Sequence, residues 1–491
     1  MPAKRPLTLA LALLLTVALP VRGATPAVLQ QIDLRPGAVS SGPSDLVSFK
    51  ERVYFSADEG SRGSELWRSD GAPDASHTGT EILCDIRSGT ELGSSPSRLT
   101  VLGDWLYFTA DAGIARYRLY RTNGAVDSCQ LVTDVGDYGS AQLHAVGDQL
   151  WFGGLSLDDG VEPAMTTGVG TPATVFDINP GGSSYPAGFT KLGSYVYFSA
   201  DNGTDGFELW KSNGSGATMV ADINDTAGEG SDPNSLLAVG NTIYFSAYNQ
   251  SGGRELMHAT ASGYTGYFDI SAGLDSSNPG YLTDFNGQLY FTAFTPDAGT
   301  ELWRVNSSGT AAERVADINP GAGSSTPYSL TPIGDWLYFT ANDGASGWEL
   351  WRTNGTTTEL VKDISAGAGD SYPSGFTERN GVIFFQAYSG SVWTIFQTTG
   401  TEASTVEAVT STGTNPYIGC ECTSPVVFAG NRAFSYMGNN EFGWEVAFFD
   451  LSLPGTNRDG SAWSTALVLV AALTAVAGIG LRVRPLGVKR S

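Results

Sequence analysis

The sequence predicts an all-β protein: a single closed β-propeller of about nine four-stranded blades, followed by one C-terminal transmembrane helix. Three observations lead to this prediction. A short aromatic strand recurs through most of the 491-residue chain, each copy is followed by further strand-like segments, and the two ends of the repeat region supply complementary parts of one blade. Repeats of roughly 40–50 residues with about four strands each are typical of propellers.

The recurring strand consists of an apolar residue, two aromatic residues and a small residue. Its copies begin at Val53, Leu106, Leu150, Val196, Ile243, Leu289, Leu337 and Ile383, with a degenerate copy at Ala433. A second strand carries Glu-Leu-Trp, at Glu65, Glu208, Glu301 and Glu349, and leads into a turn such as Ser-Asp-Gly or Thr-Asn-Gly. A third strand ends in Asp-Ile or Asp-Val, and a Gly/Ser/Pro-rich loop leads to a fourth. Short β-branched and aromatic segments separated by such turns are typical of hairpins.

The two ends of the repeat region predict that the propeller closes into a ring. Ile32 to Pro43 matches Ala316 to Pro327, so the chain opens with a third strand that has no blade. Ala433 to Asp450 supplies the first two hairpin strands of a unit and lacks a third. Pairing the two segments would complete a blade and hide two sheet edges. This count gives nine blades; eight is the alternative, because the unit around Thr394 is degenerate.

These motifs resemble those of the ELWxxDGT-repeat proteins, a family of bacterial secreted and surface proteins. The resemblance covers nearly all of the repeat region and implies a propeller fold. It implies little about activity, because that family is defined by its repeat. A propeller is a scaffold, so its function has to be argued from a site.

The two termini predict export and membrane anchoring. Residues 1–23 have the basic, apolar and small-residue order of a secretory signal, with cleavage expected near Gly23. The propeller domain would then span residues 24–452 and a linker 453–461. Residues 462–481 are uncharged and long enough to cross a bilayer as a helix, and the basic tail 482–491 would stay in the cytoplasm. We therefore expect a single-pass membrane protein with its propeller outside the cell.

A pentapeptide before the apolar segment leaves a second mode of attachment open. Leu453 to Asn457 reads Leu-Pro-Gly-Thr-Asn, and with the apolar segment and basic tail it resembles a Gram-positive sortase sorting signal. The fifth residue of that family's motif is usually Gly, and here it is Asn. Covalent attachment to a cell wall is therefore the alternative to a simple membrane span.

The charge distribution excludes one class of partner. The chain has 27 basic and 50 acidic residues, and seven of the basic ones lie in the signal and the tail. Removing these leaves 20 basic against 50 acidic residues, a net charge of about −30 for the part between. Such a domain repels polyanions, so nucleic acid is excluded as a partner. We expect instead a surface glycan or a protein ligand.

Ligand binding is predicted where the repeat is broken. In the second unit Glu-Leu-Trp is replaced by Arg118-Leu119-Tyr120, and further arginines and a tyrosine flank it. If these side chains share a face, the guanidinium groups could bind a carboxylated or sulfated sugar and a tyrosine ring could lie against it. The alternative is a solvated hairpin with arginines paired to acids. The candidate residues are Arg116, Tyr117, Arg118, Tyr120 and Arg121.

Three further predictions concern metal, glycosylation and cysteines. No cofactor is required, but calcium could bind the oxygen-rich loop with Asp201, Asn202, Asp205 and Glu208; Asp and Asn are also ordinary turn residues. In a host that glycosylates secreted proteins, the acceptors would be exposed turn residues, at Asn202, Asn213, Asn224, Asn249, Asn306 and Asn354. Cys84, Cys129, Cys420 and Cys422 allow three disulfide pairings.

The repeated Glu and Asp are interpreted as structural, because a glycosidase needs one close carboxylate pair and not a pair in nearly every blade. Nucleophile elbows, zinc motifs and phosphate loops do not occur in the sequence. We therefore expect a cell-surface recognition, adhesion or structural protein. The alternative is an extracellular glycan-active hydrolase or lyase, which a cluster of acids and aromatic residues at the mouth of the channel, drawn from several units, would favour.

Overall fold

A computed structural model describes residues 26–37, 39–71, 79–88, 92–113, 117–134, 142–155, 160–168, 173–226, 228–410, 426–439 and 443–451. The propeller is built by the unit Met1–Phe449. The predicted signal, linker, transmembrane segment and basic tail lie outside these ranges. Within them, no helix combines the length and the apolar character that crossing a bilayer requires.

Nine four-stranded antiparallel sheets form the blades, so the count of nine is confirmed and the alternative of eight is wrong. Two short strands precede them, β1 (Ala27–Val28) and β2 (Gln30–Ile32). Blade 1 consists of β3 (Ser44–Phe49), β4 (Arg52–Asp58), β5 (Ser64–Ser69) and β6 (Thr80–Cys84), and blade 2 of β7 (Ser97–Leu102), β8 (Trp105–Asp111), β9 (Tyr117–Thr122) and β10 (Gln130–Asp134). Blade 3 consists of β11 (His144–Val146), β12 (Gln149–Leu155), β13 (Val161–Thr166) and β14 (Thr174–Val175), and blade 4 of β15 (Ala187–Leu192), β16 (Tyr195–Asp201), β17 (Phe207–Ser212) and β18 (Ala217–Ala221).

The other five blades continue in the same pattern along the chain. Blade 5 consists of β19 (Asn234–Val239), β20 (Thr242–Asn249), β21 (Gly253–Thr260) and β22 (Gly263–Phe268), and blade 6 of β23 (Gly280–Phe285), β24 (Gln288–Thr295), β25 (Gly299–Val305) and β26 (Ala312–Arg314). Blade 7 consists of β27 (Tyr328–Ile333), β28 (Trp336–Asn342), β29 (Trp348–Thr353) and β30 (Thr358–Lys362), and blade 8 of β31 (Ser374–Arg379), β32 (Val382–Tyr388), β33 (Trp393–Thr398) and β34 (Val406–Glu407). Blade 9 consists of β36 (Val427–Ala429), β37 (Arg432–Asn439), β38 (Gly443–Asp450) and β2. A 3-10 turn (Glu402–Ser404) and β35 (Val409–Thr410) complete the described elements.

The boundaries of each blade differ from the sequence-based unit in one respect. The strand after the Gly/Ser/Pro loop, such as β27, pairs with the aromatic strand that follows it, β28. It is therefore the first strand of the next blade and not the last strand of its own unit. The first strands of neighbouring blades lie beside one another, so they surround the central channel. The aromatic strand is second, Glu-Leu-Trp third and the Asp-Ile strand outermost.

Ring closure occurs as the sequence predicts. β2 completes blade 9 by pairing antiparallel with β38, with Gln30 opposite Phe448 and Ile32 opposite Val446. A second closure was not predicted: β1 pairs in parallel with β35 beside blade 8, with Ala27 opposite Val409. The N-terminal segment therefore joins blades 8 and 9 in addition to completing the ring.

The aromatic strands supply the core between blades. Their second aromatic residue is fully buried in blades 1 to 8, at Phe55, Phe108, Phe152, Phe198, Phe245, Phe291, Phe339 and Phe385. Phe108 of blade 2 packs with Tyr54 and Leu66 of blade 1, whereas Phe55 packs with Phe434 and Phe448 of blade 9. Each sheet thus buries both faces against its two neighbours. A small four-stranded sheet could not do this alone, so the blades depend on the ring.

The turns between the third and fourth strands lie on one face of the ring, which we call the lower face. Glycines in these turns allow neighbouring blades to approach closely. Gly355 ends the third strand of blade 7 with a φ of 84°, and a Cβ at this position would lie 2.5 Å from the Tyr290 hydroxyl of blade 6. Arg304 of blade 6 donates a hydrogen bond to the Gly355 carbonyl at 2.8 Å and pairs with Glu313 at 2.7 Å. The glycine of the repeated turn is therefore required both by its backbone conformation and by the neighbouring blade.

A disulfide reinforces the first two blades. Cys84, at the end of β6, is bonded to Cys129, just before β10, with their Cα atoms 6.2 Å apart. This selects one of the three pairings that the sequence allows. Cys420 and Cys422 lie outside the described ranges.

Deleting residues 28–37 should lower the melting temperature of the whole propeller by many degrees and broaden the transition. Blade 9 would lose its outer strand, and the exposed edge of β38 would leave the ring open. Circular dichroism melting of the propeller, compared with a control chain that begins at Pro26 and keeps β1 and β2, measures the effect. Equally high and cooperative melting of the two chains would contradict the closure.

Candidate functional site

The upper face of the propeller is defined here as the one carrying the loops that lead from the outermost strand of one blade to the first strand of the next. The connections between second and third strands lie on the same face. These loops share a short pattern, serine followed by any residue and then proline, for example Ser371-Tyr372-Pro373. The repeat therefore places a chemically variable position at an equivalent point of most blades.

Buried glutamates hold these loops in place, and we call them latch glutamates. In blade 7, Glu349 has no exposed surface and accepts hydrogen bonds from the backbone N–H of Ile364 at 2.7 Å and from the Ser371 hydroxyl at 2.6 Å. The Ser371 carbonyl in turn accepts a hydrogen bond from the backbone N–H of Tyr388 in blade 8, at 2.8 Å. One carboxylate and one serine thus connect two blades.

The same latch recurs in seven blades. Its glutamates are all fully buried: Glu65, Glu162, Glu208, Glu255, Glu301, Glu349 and Glu445. In blade 9 the latch also closes the ring, because Glu445 accepts hydrogen bonds from the backbone N–H and the hydroxyl of Ser41, at 2.8 and 2.5 Å. The repeated Glu is therefore structural, as its recurrence in nearly every blade predicts. Arg118 in blade 2 and Thr394 in blade 8 occupy the latch position without a carboxylate.

Burial has a larger effect than the hydrogen bonds on the pKa of the latch glutamates. Removal from water raises the pKa of all seven carboxyls above the usual value, although the serine and backbone donors act in the opposite direction. The pKa rises to about 7 for Glu349 and for Glu445. A protonated latch can still donate to the serine oxygen, so the connection persists in the acid form.

The predicted arginine site is not assembled on one face. Side chains alternate along β9, so Tyr117 and Arg121 lie on one side of the sheet and Arg118 and Tyr120 on the other. Tyr120 is buried and stacks on Phe108 with ring centroids 5.8 Å apart. The Arg121 guanidinium lies 4.1 Å from the centre of the Trp105 ring. Arg116 lies outside the described ranges, and the shared face on which the anion-binding hypothesis depended is missing for the other four.

The predicted calcium loop uses its oxygens within its own turn. The Asn202 side-chain oxygen accepts hydrogen bonds from the backbone N–H groups of Thr204 and Asp205, at 3.0 and 2.9 Å. Asp201 accepts one from the backbone N–H of Gly203, and Glu208 is a latch. In the part of the chain that the structure describes, no three acidic, histidine or cysteine side chains form a metal-binding group. Calcium binding there stays a prediction.

Two of the six sequons are not in exposed turns. Asn224 and Asn249 are only 2% and 7% exposed. The Asn224 amide donates to the Gly230 carbonyl at 3.1 Å, so the nitrogen that would carry a glycan is engaged inside the loop. Asn213 and Asn354 are exposed, and Asn202 and Asn306 are half-buried. The expectation of six exposed acceptors is therefore wrong at Asn224 and Asn249.

The upper face carries a row of aromatic residues that was not predicted from the sequence, and we call it the aromatic row. It consists of Tyr281 from blade 6, Tyr328 and Trp348 from blade 7, and Tyr372 from the loop that enters blade 8. Successive ring centroids are 6.5, 5.5 and 6.2 Å apart. Tyr281 and Tyr372 are 56% and 39% exposed, whereas Tyr328 and Trp348 are half-buried between them.

A carboxylate and a cavity adjoin the aromatic row. Asp370 accepts hydrogen bonds from the Trp348 backbone N–H at 3.0 Å and from the Tyr372 hydroxyl at 2.7 Å. At the other end, Tyr281 borders a cavity of ≈ 370 Å³ against the first strands of blades 6, 7 and 8, whose polar lining includes Thr283, Ser329 and Thr331. The row thus runs along the upper face from blade 6 to the loop that enters blade 8, with the cavity at its blade 6 end. Apolar surfaces with a few placed polar groups are typical of ligand sites.

The row could have been found in the sequence from one feature. Tyr372 and Tyr281 stand at variable positions of the Ser-x-Pro loop or just after it, and Trp348 immediately precedes the latch Glu349. The signal is weak without a structure, because the register of the loops determines which of these variable residues come together.

By its architecture, the protein is a nine-bladed β-propeller. No protein-family model and no curated protein sequence matches it. Among solved structures it is similar to a prolyl endopeptidase, with 13% identity and a TM-score of 0.40 over 73% of this chain and 56% of that chain. It is also similar to oligopeptidase B from Trypanosoma brucei, with 11% identity and a TM-score of 0.40 over 74% of this chain and 53% of that one.

A third similar structure is the β-propeller domain of the Trilobed protease from Pyrococcus furiosus, with 9% identity and a TM-score of 0.36 over 66% of this chain and 98% of that one. The chain matches only 56% and 53% of the length of the two peptidases. These similarities concern the fold alone.

Replacing Glu349 and Glu445 by Gln should flatten the dependence of stability on pH. In the folded chain their pKa is about 7, against 4.5 for an ordinary glutamate, so the folded state favours the protonated form. Their contribution is fully present below about pH 4.5 and is lost as the pH rises through 7. The wild type should therefore melt several degrees lower at pH 8 than at pH 5, and the double variant should show a smaller difference.

The control for this prediction is Glu402→Gln, which removes the same charge from a side chain that is 78% exposed. It should keep the pH dependence of the wild type. Equal pH dependence in the double variant and the control would show that the latches do not titrate in this range. Glu349→Ala should instead destabilise at every pH, by about 1–3 kcal/mol, because it leaves buried donors without an acceptor.

Proposed function

We propose that this protein is an exported recognition protein whose propeller binds an uncharged glycan through the aromatic row on its upper face. The single observation that carries the proposal is the continuous contact of Tyr281, Tyr328, Trp348 and Tyr372 across blades 6 and 7 and the loop into blade 8. Adjoining exposed apolar side chains on a folded domain, unlike single scattered ones, often mark a binding site.

The chemistry of the row favours sugar over other ligands. Tyrosine and tryptophan offer flat apolar rings with polar edges, and Asp370 and the tyrosine hydroxyls offer hydrogen-bond acceptors. A pyranose matches both, because its C–H faces are apolar and its hydroxyls are donors. A proline-rich peptide could also lie on aromatic rings, but its prolines bring no donors for Asp370. The excess of 50 acidic over 27 basic residues disfavours polyanions such as sulfated glycans.

Binding fits the site better than hydrolysis. Glycosidases generally use two carboxyl groups on either side of the scissile bond. Around the row, among the residues whose positions are described, Asp370 is the carboxylate in hydrogen-bond contact with the rings. Each of its oxygens accepts one hydrogen bond from the protein and can accept a second from a ligand hydroxyl. Glu349 is buried beneath the row as a latch. The hydrolase or lyase alternative would need a second acid that these contacts do not supply.

The proposed location follows from the sequence. A secretory signal in residues 1–23, an apolar segment at 462–481 and a basic tail support display of the propeller outside the cell, held by one span. Attachment to a cell wall through Leu453 to Asn457 is the alternative. A surface-held propeller that binds glycan would serve adhesion or capture of a polysaccharide.

Screening the soluble propeller, residues 24–452, against immobilised uncharged and acidic glycans should give binding to uncharged ones. Trp348→Leu and Tyr372→Ala should each weaken that binding at least about tenfold, since each removes a stacking ring. Isothermal titration with the best glycan measures the loss, and melting temperatures show that the variants are folded.

The matched control is Tyr185→Ala. Tyr185 occupies the same Ser-x-Pro position as Tyr372, in the loop into blade 4, and is 48% exposed, but it is not part of the row. It should leave affinity unchanged. Preference for acidic glycans, or equal losses from Tyr185→Ala and Tyr372→Ala, would contradict the proposed site.

Protease added to intact cells that express the full chain should remove the propeller and leave a small fragment with the basic tail. This outcome is expected because the basic residues after 481 hold that end in the cytoplasm. Immunoblotting against a C-terminal tag detects the fragment. Protection of the propeller would contradict the orientation, and release by wall-digesting enzymes without detergent would favour the sortase alternative.

A further inference from the structure

Three consecutive blades carry tryptophan at one equivalent position of the upper edge. This position immediately precedes the latch residue and begins or nearly begins the third strand of each blade. Its occupants in blades 1 to 9 are Ser64, Tyr117, Val161, Phe207, Arg254, Thr300, Trp348, Trp393 and Trp444. A residue that recurs only in neighbouring blades is not explained by the fold of the repeat, because the other six blades fold with different side chains there.

The second and third tryptophans, Trp393 and Trp444, occupy in blades 8 and 9 the position that Trp348 of the aromatic row occupies in blade 7. Trp393 is half-buried and contacts Tyr388 of the neighbouring strand, with ring centroids 6.1 Å apart. Trp444 is 40% exposed. Its ring lies against Gly438 of β37 so closely that a Cβ there would come within 2.8 Å of the indole. Both rings are therefore held against their own blades.

Blades 7, 8 and 9 follow one another directly around the ring. The Gln386 amide of blade 8 donates a hydrogen bond to Ser435 of blade 9 at 2.7 Å, and Phe384 contacts Phe428 with ring centroids 5.6 Å apart. Packed sheets lie about 10 Å apart. Tryptophans at equivalent positions on adjacent blades are thus too far apart for one sugar ring to cover two of them.

Blades 1 and 2, which follow blade 9 around the ring, have a different chemistry at the upper face. In blades 1 and 2 the second strands end in Asp58 and Asp111, which pair with Arg35 at 3.1 Å and Arg87 at 2.9 Å. The corresponding residues of blades 5, 6 and 8 are Tyr248, Phe294 and Tyr388. Carboxylate and guanidinium groups that pair with each other are less available to bind an uncharged ligand. The aromatic part of the upper face is therefore the better surface for such a ligand.

We propose that Tyr281, Trp348, Trp393 and Trp444 form successive subsites for one linear, uncharged polysaccharide chain that runs along the upper edge of blades 6 to 9. This inference rests on the proposed glycan-binding function and specifies its substrate class: a polymer rather than a mono- or disaccharide. A chain bound at Trp348 presents its next units to Trp393 and then Trp444 at high effective concentration. Affinity therefore rises with chain length until the arc is filled.

The experiment measures the affinity of the soluble propeller for uncharged oligosaccharides of increasing length. The probes are cello-, malto- and laminari-oligosaccharides from the disaccharide to the decasaccharide, titrated by calorimetry into wild type, Trp348→Leu, Trp393→Leu and Trp444→Leu. Leucine keeps the apolar bulk against the blade and removes the flat ring. Phe207→Leu is the matched control, because Phe207 holds the equivalent position in blade 4.

For the best series, wild-type affinity should rise by about tenfold or more between the shortest and longest probes. Trp393→Leu and Trp444→Leu should abolish most of this rise and leave disaccharide affinity unchanged, whereas Trp348→Leu should weaken all lengths and Phe207→Leu none. Length-independent wild-type affinity, or equal losses at all lengths in Trp393→Leu, would overturn the chain proposal and leave the glycan site standing. Absence of binding by every probe would overturn both.

Discussion

A buried carboxylate that accepts hydrogen bonds from two blades is the interaction on which the rest of the structure depends. Each latch glutamate accepts hydrogen bonds from the backbone N–H at the end of its own outer strand and from the serine of the loop that enters the next blade. Glu349 does so with Ile364 and Ser371. Burying a carboxylate is costly unless several donors meet it. The loop must therefore adopt one conformation, and that conformation fixes where the next blade begins.

The lower face has its own coupling, and the two together make each blade dependent on its neighbours. Above, the latch serine bridges adjacent sheets; below, a tyrosine hydroxyl and an arginine meet the turn glycine of the next blade, as Tyr290 and Arg304 meet Gly355. Between them, the aromatic strands bury both sheet faces. Closure by β2 and by the latch between Glu445 and Ser41 extends this arrangement across the ends of the chain. The result is a rigid upper face on which variable side chains are displayed at fixed points.

Recognition in such a ring depends on residues that the repeat does not specify. The residues at the latch position, at the turn glycine and in the aromatic strand are all needed to maintain the fold. The residue between the latch serine and proline, and the residue before the latch glutamate, are free to vary, and Tyr372 and Trp348 stand at these points. Since Glu349 holds Ser371, the same buried carboxylate that joins blades 7 and 8 also places Tyr372 beside Trp348. The structural role of Ser371 and the proposed binding role of Tyr372 thus meet in one loop without sharing a side chain.

The sequence by itself determined the architecture: a propeller of about nine blades, closed by pairing of an N-terminal strand with the last unit, follows from local patterns and from two segments that complete each other. The structure decided between nine and eight blades and gave the closing strand as Gln30–Ile32. The sequence also identified the repeated glutamate as structural. Tertiary structure decided the site. Arg118 and Arg121 stood out in composition, yet strand alternation puts them on opposite faces, and Arg118 occupies the latch position. Tyr281, Trp348 and Tyr372 are far apart in sequence and ordinary in composition. They meet because loops from different blades converge on one edge of the ring, a convergence that only the packed ring determines.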